Sequence, residues 1–222
     1  MKKEELLTTN LLDLSQTDYS MLFKGLTYPW EAIPKISSMF SELTRHLGPE
    51  YNRIKDGVYV HKSVTVLKSV YLGKNIIIGA GADIRNSAFL RENVIIGDGC
   101  VLGNSCEAKN VIMFNNSQAP HFNYLGDCIL GYKAHIGAGV IMSNLKLDKS
   151  LIEVKCEDGN IPTNLKKFGG IIADNAEVGC NSVINPGAIV ARGAFVMPTS
   201  SVMGCVPPNN IYKTDGTIVP KK

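Results

Sequence analysis

The sequence predicts an all-β solenoid: a left-handed parallel β-helix of hexapeptide repeats with a short α-helical N-terminal cap. Two observations lead to this fold class. A large apolar residue recurs every six residues, and an aliphatic or small residue stands two positions before it. A period of six fits neither a long helix nor a long flat strand. The larger residues of the first run of hexads are Val60, Val66, Leu72, Ile78, Ile84, Leu90, Ile96, Leu102 and Ala108.

Each hexad should form one short strand and one corner, with its two apolar side chains pointing into the solenoid axis. The same register returns at residues 128–142 and 170–202. We therefore predict a β-helix domain over residues 56–206, interrupted by a charged excursion over residues 146–168. Excursions from a solenoid repeat usually lie over one face, and often over the binding face. Residues 207–222 should form a C-terminal cap or tail.

Residues 1–55 lack the hexad pattern and are predicted to be helical. Apolar residues from Pro29 to Gly48 have helical spacing, with proline near the start and glycine at the end. Residues 18–26 predict a shorter helix. We expect this segment to cover the first coil of the solenoid, where unpaired strand edges would otherwise be open to aggregation. A catalytic or substrate-selecting role is the alternative.

The composition limits the function classes. The formal net charge is +3 and the cations are scattered, so we expect no nucleic-acid partner. No apolar run approaches the roughly 20 residues of a membrane span, which indicates a cytoplasmic protein with no membrane partner. Three of the six cysteines, Cys100, Cys106 and Cys128, occupy small inward hexad positions and are interpreted as core residues. The histidines and acidic residues lack the spacing of a metal-ligand set, so we expect no metal site.

Catalytic residues are expected where the hexad repeat is interrupted near its middle, between Lys109 and Asp127. The register advances by five residues instead of six between Cys106 and Val111, and then loosens through QAPHFNYLGD. His121 lies in this run. A histidine, whose pKa lies near neutrality, is a natural general base for an amine or hydroxyl nucleophile. A structural loop histidine is the alternative interpretation.

These residues carry a resemblance. From Arg91 to about Asn144 the chain resembles the acetyltransferase half of the bifunctional bacterial glucosamine-1-phosphate acetyltransferase/N-acetylglucosamine-1-phosphate uridylyltransferase. That family carries an arginine, a lysine eighteen residues on, a histidine twelve beyond it, and a tyrosine three later in a Y-x-G-D run. Arg91, Lys109, His121 and Tyr124 reproduce this spacing, and an IGAG run at residues 136–139 continues the match.

The resemblance implies acetyl transfer from acetyl-CoA to the amino group of a hexosamine 1-phosphate, such as glucosamine 1-phosphate, or of a nucleotide sugar. His121 would be the general base. Arg91 and Lys109 would hold the sugar phosphate. Tyr124 and Asn144 would position the sugar by hydrogen bonds.

The resemblance also implies how the donor binds and how the chains assemble. The thioester oxyanion would face backbone N–H groups near the IGAG glycines, so Ala138 is the expected CoA contact. Cys180 aligns with a CoA-face serine of the family. Acetyl-CoA would act as a co-substrate, with no metal required for acyl transfer. The related acyltransferases are homotrimers with the active site between neighbouring β-helices.

Departures from the family leave the acceptor open. Leu145 stands where the family has a sugar-contacting tyrosine, and His135 stands where it has an asparagine. The Gly-rich phosphate loop of the uridylyltransferase domain does not precede residue 58, so we do not expect uridylyl transfer. Two alternatives stay open: an O-acyl or succinyl transferase of the same fold, and a non-catalytic trimeric binding or assembly module.

Overall fold

The computed structural model describes residues 1–221 and confirms the predicted β-solenoid with short N-terminal helices. One sheet has twelve strands, a second has eight, and two strands form a small hairpin. The helices are α1 (Thr8–Leu11) and α2 (Lys35–Arg45), with 3-10 turns at Lys3–Leu6, Leu14–Gln16, Ser20–Phe23 and Pro29–Ala32. The strands are β1 (Tyr51–Lys55), β2 (Val58–His61), β3 (Tyr71–Ile78), β4 (Asp83–Ile84), β5 (Phe89–Ile96), β6 (Val101–Asn104), β7 (Glu107–Met113), β8 (Gln118–His121), β9 (Tyr124–Leu130), β10 (His135–Ile136), β11 (Ile141–Met142), β12 (Glu153–Val154), β13 (Ile161–Pro162), β14 (Gly170–Ile172), β15 (Glu177–Val178), β16 (Val183–Ile184), β17 (Ile189–Val190), β18 (Phe195–Val196), β19 (Ser201–Val202), β20 (Cys205–Val206), β21 (Asn210–Tyr212) and β22 (Ile218–Pro220).

Parallel pairing stacks successive coils, so equivalent hexad positions lie one above another in columns. Leu72, Leu90, Ala108, Leu125 and Met142 form one such inward column. The inward residues are buried and form the core of the solenoid. Cys100, Cys106 and Cys128 belong to this core, which confirms their interpretation as core residues.

The stacked strands give the solenoid three faces. The first face carries outward isoleucines, the second is the eight-stranded sheet, and the third carries an outward column that includes Tyr71, Phe89, Glu107 and Tyr124. The outward isoleucines of the first face are Ile77, Ile95, Ile112, Ile129, Ile171 and Ile189. Strands β3, β5, β7 and β9 run from the third face around a corner onto the first face.

The N-terminal segment packs along the first face, and its last strand, β1, pairs with the edge of β2. Its apolar residues share a buried cluster with the outward isoleucines. Phe23 meets Phe114 with ring centroids 5.5 Å apart, and Trp30 meets Phe168 at 5.7 Å. The helix expected from residue 29 to residue 48 is broken at Pro34, because proline lacks the N–H that a helix interior needs.

Antiparallel strands lie at the outer edges of the two larger sheets. β1 pairs with β2 at one edge of the twelve-stranded sheet, and β22 pairs with β21 at an edge of the eight-stranded sheet. The excursion contains the hairpin of β12 and β13, and it buries Ile152, Val154 and Phe168 against the N-terminal segment. Among residues 1–221, no helix is long and apolar enough to cross a membrane.

Glycine serves close packing between coils as well as backbone conformation at the corners. Positive φ falls mostly on asparagine, serine or a later glycine, for example Asn75 at 54° and Asn93 at 56°. Gly73 does not have positive φ. A Cβ there would lie 1.6 Å from the Arg91 carbonyl oxygen of the next coil, so glycine is needed for close stacking.

Candidate functional site

Two corners of the solenoid carry the predicted site residues. We call the corner between the third and first faces the cation corner; it comprises residues 73–75, 91–93, 109–110 and 126–127 of successive coils. The histidine corner lies between the second and third faces and comprises residues 103–105, 120–122, 137–139 and 179–181. The strands of the third face connect the two corners.

The cation corner is shortened in the middle of the solenoid. Leu90 pairs with Ala108 and Val94 pairs with Val111, so three residues on one coil face only two on the next. This register shift corresponds to the spacing of five residues, instead of six, between Cys106 and Val111 in the sequence. Here Arg91, Glu92 and Asn93 face Lys109 and Asn110, and the Glu92 carboxylate reaches across to Lys109 on the next coil.

Arg91 and Lys109 lie on consecutive coils, and each is paired with a carboxylate. Arg91 Nη1 lies 3.1 Å from Glu107 Oε1, and Lys109 Nζ lies 3.4 Å from Glu92 Oε1. Only 17% of the Lys109 side chain is exposed. The hydrogen bond to Glu107 raises the pKa of Arg91, so the guanidinium stays charged. The two cations expected to hold a phosphate therefore lie on neighbouring coils, and each is already paired with a glutamate carboxylate.

Tyr124 and Asn144 contact each other beside this pair of cations. Asn144 Nδ2 lies 3.3 Å from Tyr124 Oη and also donates to a carboxylate oxygen of Asp127. Burial raises the pKa of Tyr124, and the charges of Glu107 and Asp127 raise it further. The phenol is therefore protonated at neutral pH and can donate a hydrogen bond to a ligand.

A ladder of side-chain amides holds Asp127 in place from the other side. Asn75 Nδ2 donates to Asn93 Oδ1 at 2.9 Å, and Asn93 Nδ2 donates to Asn110 Oδ1 at 2.8 Å. Asn110 Nδ2 then donates to Asp127 Oδ1 at 2.7 Å. Asp127 is buried, so these bonds satisfy its oxygens and fix the Asn144 amide next to it.

His121 lies at the histidine corner, at the end of β8, with its side chain exposed. Its backbone is fixed: the N–H donates to Asn123 Oδ1 at 3.1 Å, and the carbonyl accepts from Gly139 N–H at 3.0 Å. Asn123 is buried and also donates to the Gly137 carbonyl at 2.7 Å. Within residues 1–221 the imidazole itself makes no hydrogen bond, so both ring nitrogens are available to a substrate.

Ala138 and Cys180 stack at the same corner on the coils after His121. The Asn181 N–H donates to the Ala138 carbonyl at 2.8 Å, and the Cys180 side chain is exposed. A Cβ on Gly137 would lie 2.8 Å from Cys180 Sγ, so this glycine is required for the close packing of the two coils. The N–H of Ala138 makes no hydrogen bond within the described chain, so this donor is available to a ligand.

The structure thus divides the predicted residues into two groups. Arg91, Lys109, Tyr124 and Asn144 come together at the cation corner and its adjoining face, while His121 shares the other corner with Ala138 and Cys180. A cavity of about 610 Å³ lies beneath the excursion, and the chain on either side of Asn144 lines it. Its lining includes Ser143, Leu145 and Lys146. No group of three or more potential metal ligands occurs in residues 1–221.

Sequence reasoning missed the acidic members of the site. Glu107 occupies the outward third-face position between Phe89 and Tyr124, and Glu92 lies beside Arg91 at the cation corner. The signal was available, because a charged residue in an otherwise aromatic column is a departure from the pattern. His135 lies on the second face, where Nδ1 is 2.8 Å from Glu177 Oε2.

Comparison with known proteins gives the same family resemblance. The family model of the GMPPB C-terminal domain matches residues 74–161, less than half of the chain. The bifunctional protein GlmU of Methanococcus maripaludis is 28% identical over 117 residues, which are 52% of this chain and 28% of the relative. The Clostridioides difficile bifunctional protein GlmU is 31% identical over 101 residues, 46% of this chain and 18% of that protein.

The chain is a hexapeptide-repeat protein. It resembles the C-terminal region of GlmU at low identity over about half its length, and it spans about a quarter of the length of the curated relatives it matches. Among solved structures, perosamine N-acetyltransferase from Caulobacter crescentus, in complex with CoA and GDP-perosamine, is 11% identical with a TM-score of 0.36. That match covers 82% of this chain and 63% of the other.

Proposed function

We propose that this hexapeptide-repeat protein is an acyltransferase that moves the acetyl group of acetyl-CoA to the amino group of a hexosamine 1-phosphate or nucleotide sugar. One observation carries the proposal. The cation corner and its adjoining face bring together Arg91, Lys109, Tyr124 and Asn144. The adjacent corner carries His121, whose exposed imidazole makes no hydrogen bond within residues 1–221. The resemblance to GlmU supports the choice of an amino-sugar acceptor.

In this mechanism the protein orients two substrates and moves one proton. Arg91 and Lys109 bind the phosphate, while Tyr124 and Asn144 orient the sugar by hydrogen bonds. The amine nitrogen forms a bond to the thioester carbonyl carbon as His121 accepts the proton that the amine loses. The carbon–sulfur bond then breaks, and the departing thiolate takes the proton from the imidazolium. No covalent enzyme intermediate is needed, which leaves the cysteines without a chemical role.

Ala138 and Cys180 bind acetyl-CoA, the acyl donor, in this mechanism. They share the histidine corner with His121, so a thioester lying along this corner would place its carbonyl near the imidazole. The N–H of Ala138, which has no partner within the described chain, is the group proposed to stabilise the oxyanion. Orientation of the two substrates can lower the barrier by about 7–11 kcal/mol, and proton transfer adds a factor of roughly 10²–10⁴.

The proposal includes a homotrimer. The third face carries the exposed aromatic side chains of Tyr71 and Phe89, whose ring centroids are 4.8 Å apart, and Phe122 at the histidine corner is 61% exposed. Exposed aromatic side chains on the third face and at its corner are the surface that we propose the trimer buries. Light scattering coupled to gel filtration tests this part, and a monomer at micromolar concentration would contradict it.

The test of the reaction is acceptor-dependent release of free thiol from acetyl-CoA. The panel contains glucosamine 1-phosphate, galactosamine 1-phosphate and UDP-linked amino sugars, each assayed with wild type, His121→Ala and His46→Ala. We expect His121→Ala to lower kcat by roughly 10²–10⁴-fold. His46→Ala is the matched control, because it removes another exposed imidazole, at the end of α2 and outside both corners, and should retain activity.

The outcomes separate the competing interpretations. Acceptor-dependent release that needs His121 supports the proposal and identifies the acceptor. Release with a succinyl or longer acyl donor, but not with acetyl-CoA, would replace the donor in the proposal. No release from a folded protein with any donor would favour a binding or assembly module.

A further inference from the structure

Asn123 is a buried polar residue in a column of the solenoid core whose other members are apolar or small. Members of this column on successive coils are Cys106, Asn123, Val140, Ser182 and Ser200. Asn123 is only 2% exposed. A buried side-chain amide costs free energy unless its polar groups are hydrogen-bonded, so the partners of Asn123 show why the core holds it.

The Asn123 amide joins two coils at the histidine corner. Its Oδ1 accepts from the His121 N–H at 3.1 Å, and its Nδ2 donates to the Gly137 carbonyl at 2.7 Å. Both partners are backbone groups, one a donor and the other an acceptor, so they fix which way the amide points. One side chain therefore holds the backbone of the proposed base and the glycine turn of the next coil.

The bond to Gly137 also sets the direction of the Ala138 N–H. The Gly137 carbonyl and the Ala138 N–H belong to one peptide group, and in a planar trans peptide they point in opposite directions. The carbonyl points at the buried Asn123 amide, so the N–H points away from it. The donor proposed to stabilise the oxyanion is therefore oriented by Asn123.

The turn that carries the proposed base depends on the same side chain. Phe122 has a φ of 53°, which is uncommon for a bulky residue, and its side chain is 61% exposed. The hydrogen bond from the His121 N–H to Asn123 spans this residue. The His121 carbonyl accepts from the Gly139 N–H at 3.0 Å, so both backbone groups of His121 are held.

We propose that Asn123 is a positioning residue for acyl transfer, which fixes the general base and the oxyanion donor relative to each other through their backbones. This inference rests on the proposed function, because it assigns a part in that reaction to a residue outside the substrate contacts. Asn123 is buried, so it acts through His121 and Ala138. Loss of its hydrogen bonds should slow acyl transfer and leave the acceptor groups at the cation corner intact.

The test measures kcat and acceptor KM by thiol release at saturating acetyl-CoA, with the panel acceptor that wild type uses. Asn123→Val removes both hydrogen bonds and introduces the residue that the column already holds one coil on, at Val140. It should lower kcat at least about tenfold, since outright loss of one oxyanion donor costs roughly 10²–10³-fold. Acceptor KM should stay unchanged. Calorimetric titration with the acceptor counts the binding sites, so that a loss of folded protein is not scored as a loss of kcat.

Asn123→Ser is the rescue variant. Ser182 holds the equivalent position two coils on, and its hydroxyl donates to the Met197 carbonyl at 3.2 Å. A serine in place of Asn123 should likewise reach the Gly137 carbonyl, but Ser182 accepts from the Ser200 N–H on the next coil, so the bond to His121 should be lost. We therefore expect a kcat below that of wild type and roughly 2–10-fold above that of Asn123→Val, the value of one neutral hydrogen bond.

Ser200→Ala is the matched control. It removes a buried hydroxyl of the same column, three coils beyond Asn123, that donates to the Met197 carbonyl at 2.6 Å, and it should leave kcat unchanged. Equal losses of kcat in Ser200→Ala and Asn123→Val would refute a specific role for Asn123 and indicate general loosening of the solenoid.

The remaining outcomes separate this inference from the proposed function. A folded Asn123→Val protein with the kcat of wild type would overturn the inference and leave the proposed function standing. If Asn123→Val does not fold, Asn123→Ser decides alone, and a kcat equal to that of wild type would overturn the inference. No thiol release by wild type with any acceptor would refute the proposed function, and the inference with it.

Discussion

Replacing Trp30 by alanine should destabilise the protein and weaken the acceptor site together. Trp30 is 1% exposed, stacks on Tyr28 at 4.7 Å, and contacts Phe168 at 5.7 Å between ring centroids. Its ring therefore joins the N-terminal segment to the end of the excursion. The Phe168 N–H donates to the Asn144 carbonyl at 2.9 Å, which connects this packing to the site.

The expected loss follows from the buried area of the ring. A tryptophan buries about 150–250 Å², and about 25 cal/mol per Å² gives roughly 4–6 kcal/mol as an upper estimate. Measured tryptophan-to-alanine and phenylalanine-to-alanine losses of about 3–5 kcal/mol agree with it. We therefore expect Trp30→Ala to lower the free energy of unfolding by about 3–5 kcal/mol, with a raised acceptor KM.

Urea unfolding at one fixed protein concentration measures the loss, and limited proteolysis reports whether the N-terminal segment has loosened. Leu147→Ala is the control, because Leu147 is fully exposed on the excursion and should change stability by less than about 0.5 kcal/mol. A Trp30→Ala protein that loses under about 1 kcal/mol and keeps a protease-resistant N-terminal segment would refute the packing argument.

Three further predictions concern single positions. Gly103→Ala should destabilise by about 3 kcal/mol or more in thermal or urea unfolding, since its Cβ would lie 1.6 Å from the Pro120 carbonyl oxygen; an unchanged midpoint would contradict the stacking. Cys180 should be alkylated before Cys205 at about pH 8, as followed by peptide mass spectrometry. Cys180 is exposed, whereas burial raises the pKa of Cys205 to about 12. Faster labelling of Cys205 would contradict this. Tyr124→Phe should raise acceptor KM by roughly 2–10-fold with little change in kcat, the loss of one neutral hydrogen bond; a fall in kcat alone would argue against a binding role.

The sequence predicts the solenoid well because its determinant is local and repeated. Each hexad places two apolar residues on the same side of a short strand, so the pattern alone identifies the core columns. Placement of the N-terminal segment depends on a long-range match between its apolar side chains and the first-face isoleucines, which no local period reveals. Pro34 indicates a break in this helix, because proline disrupts a helix interior.

The sequence predicts which cations and which histidine form the candidate site, but it does not predict the carboxylates that pair with the cations. The spacing of Arg91, Lys109, His121 and Tyr124 follows from resemblance, and the structure places them at two adjacent corners. Glu107 and Glu92 gain their importance only from the stacking of coils, since each pairs with a cation 16 or 17 residues away in sequence. Spacing in sequence alone does not show which outward residues of neighbouring coils will touch.

The shortened corner explains why these contacts arise where they do. In an unbroken repeat, each corner residue would face its equivalent on the next coil, and like positions would form uniform columns. The corner of β7 has one residue fewer than the corner of β5, so Asn93 lies level with Asn110, and the Glu92 carboxylate lies beside Lys109. The register between β7 and β9 is unbroken, and there the amide ladder ends on Asp127, which fixes Asn144. Inserting one residue after Lys109 should therefore preserve the core while breaking the Glu92–Lys109 ion pair and the Asn93–Asn110 hydrogen bond. Acceptor affinity should fall further than the free energy of unfolding, and an unchanged acceptor KM in a folded variant would contradict this argument.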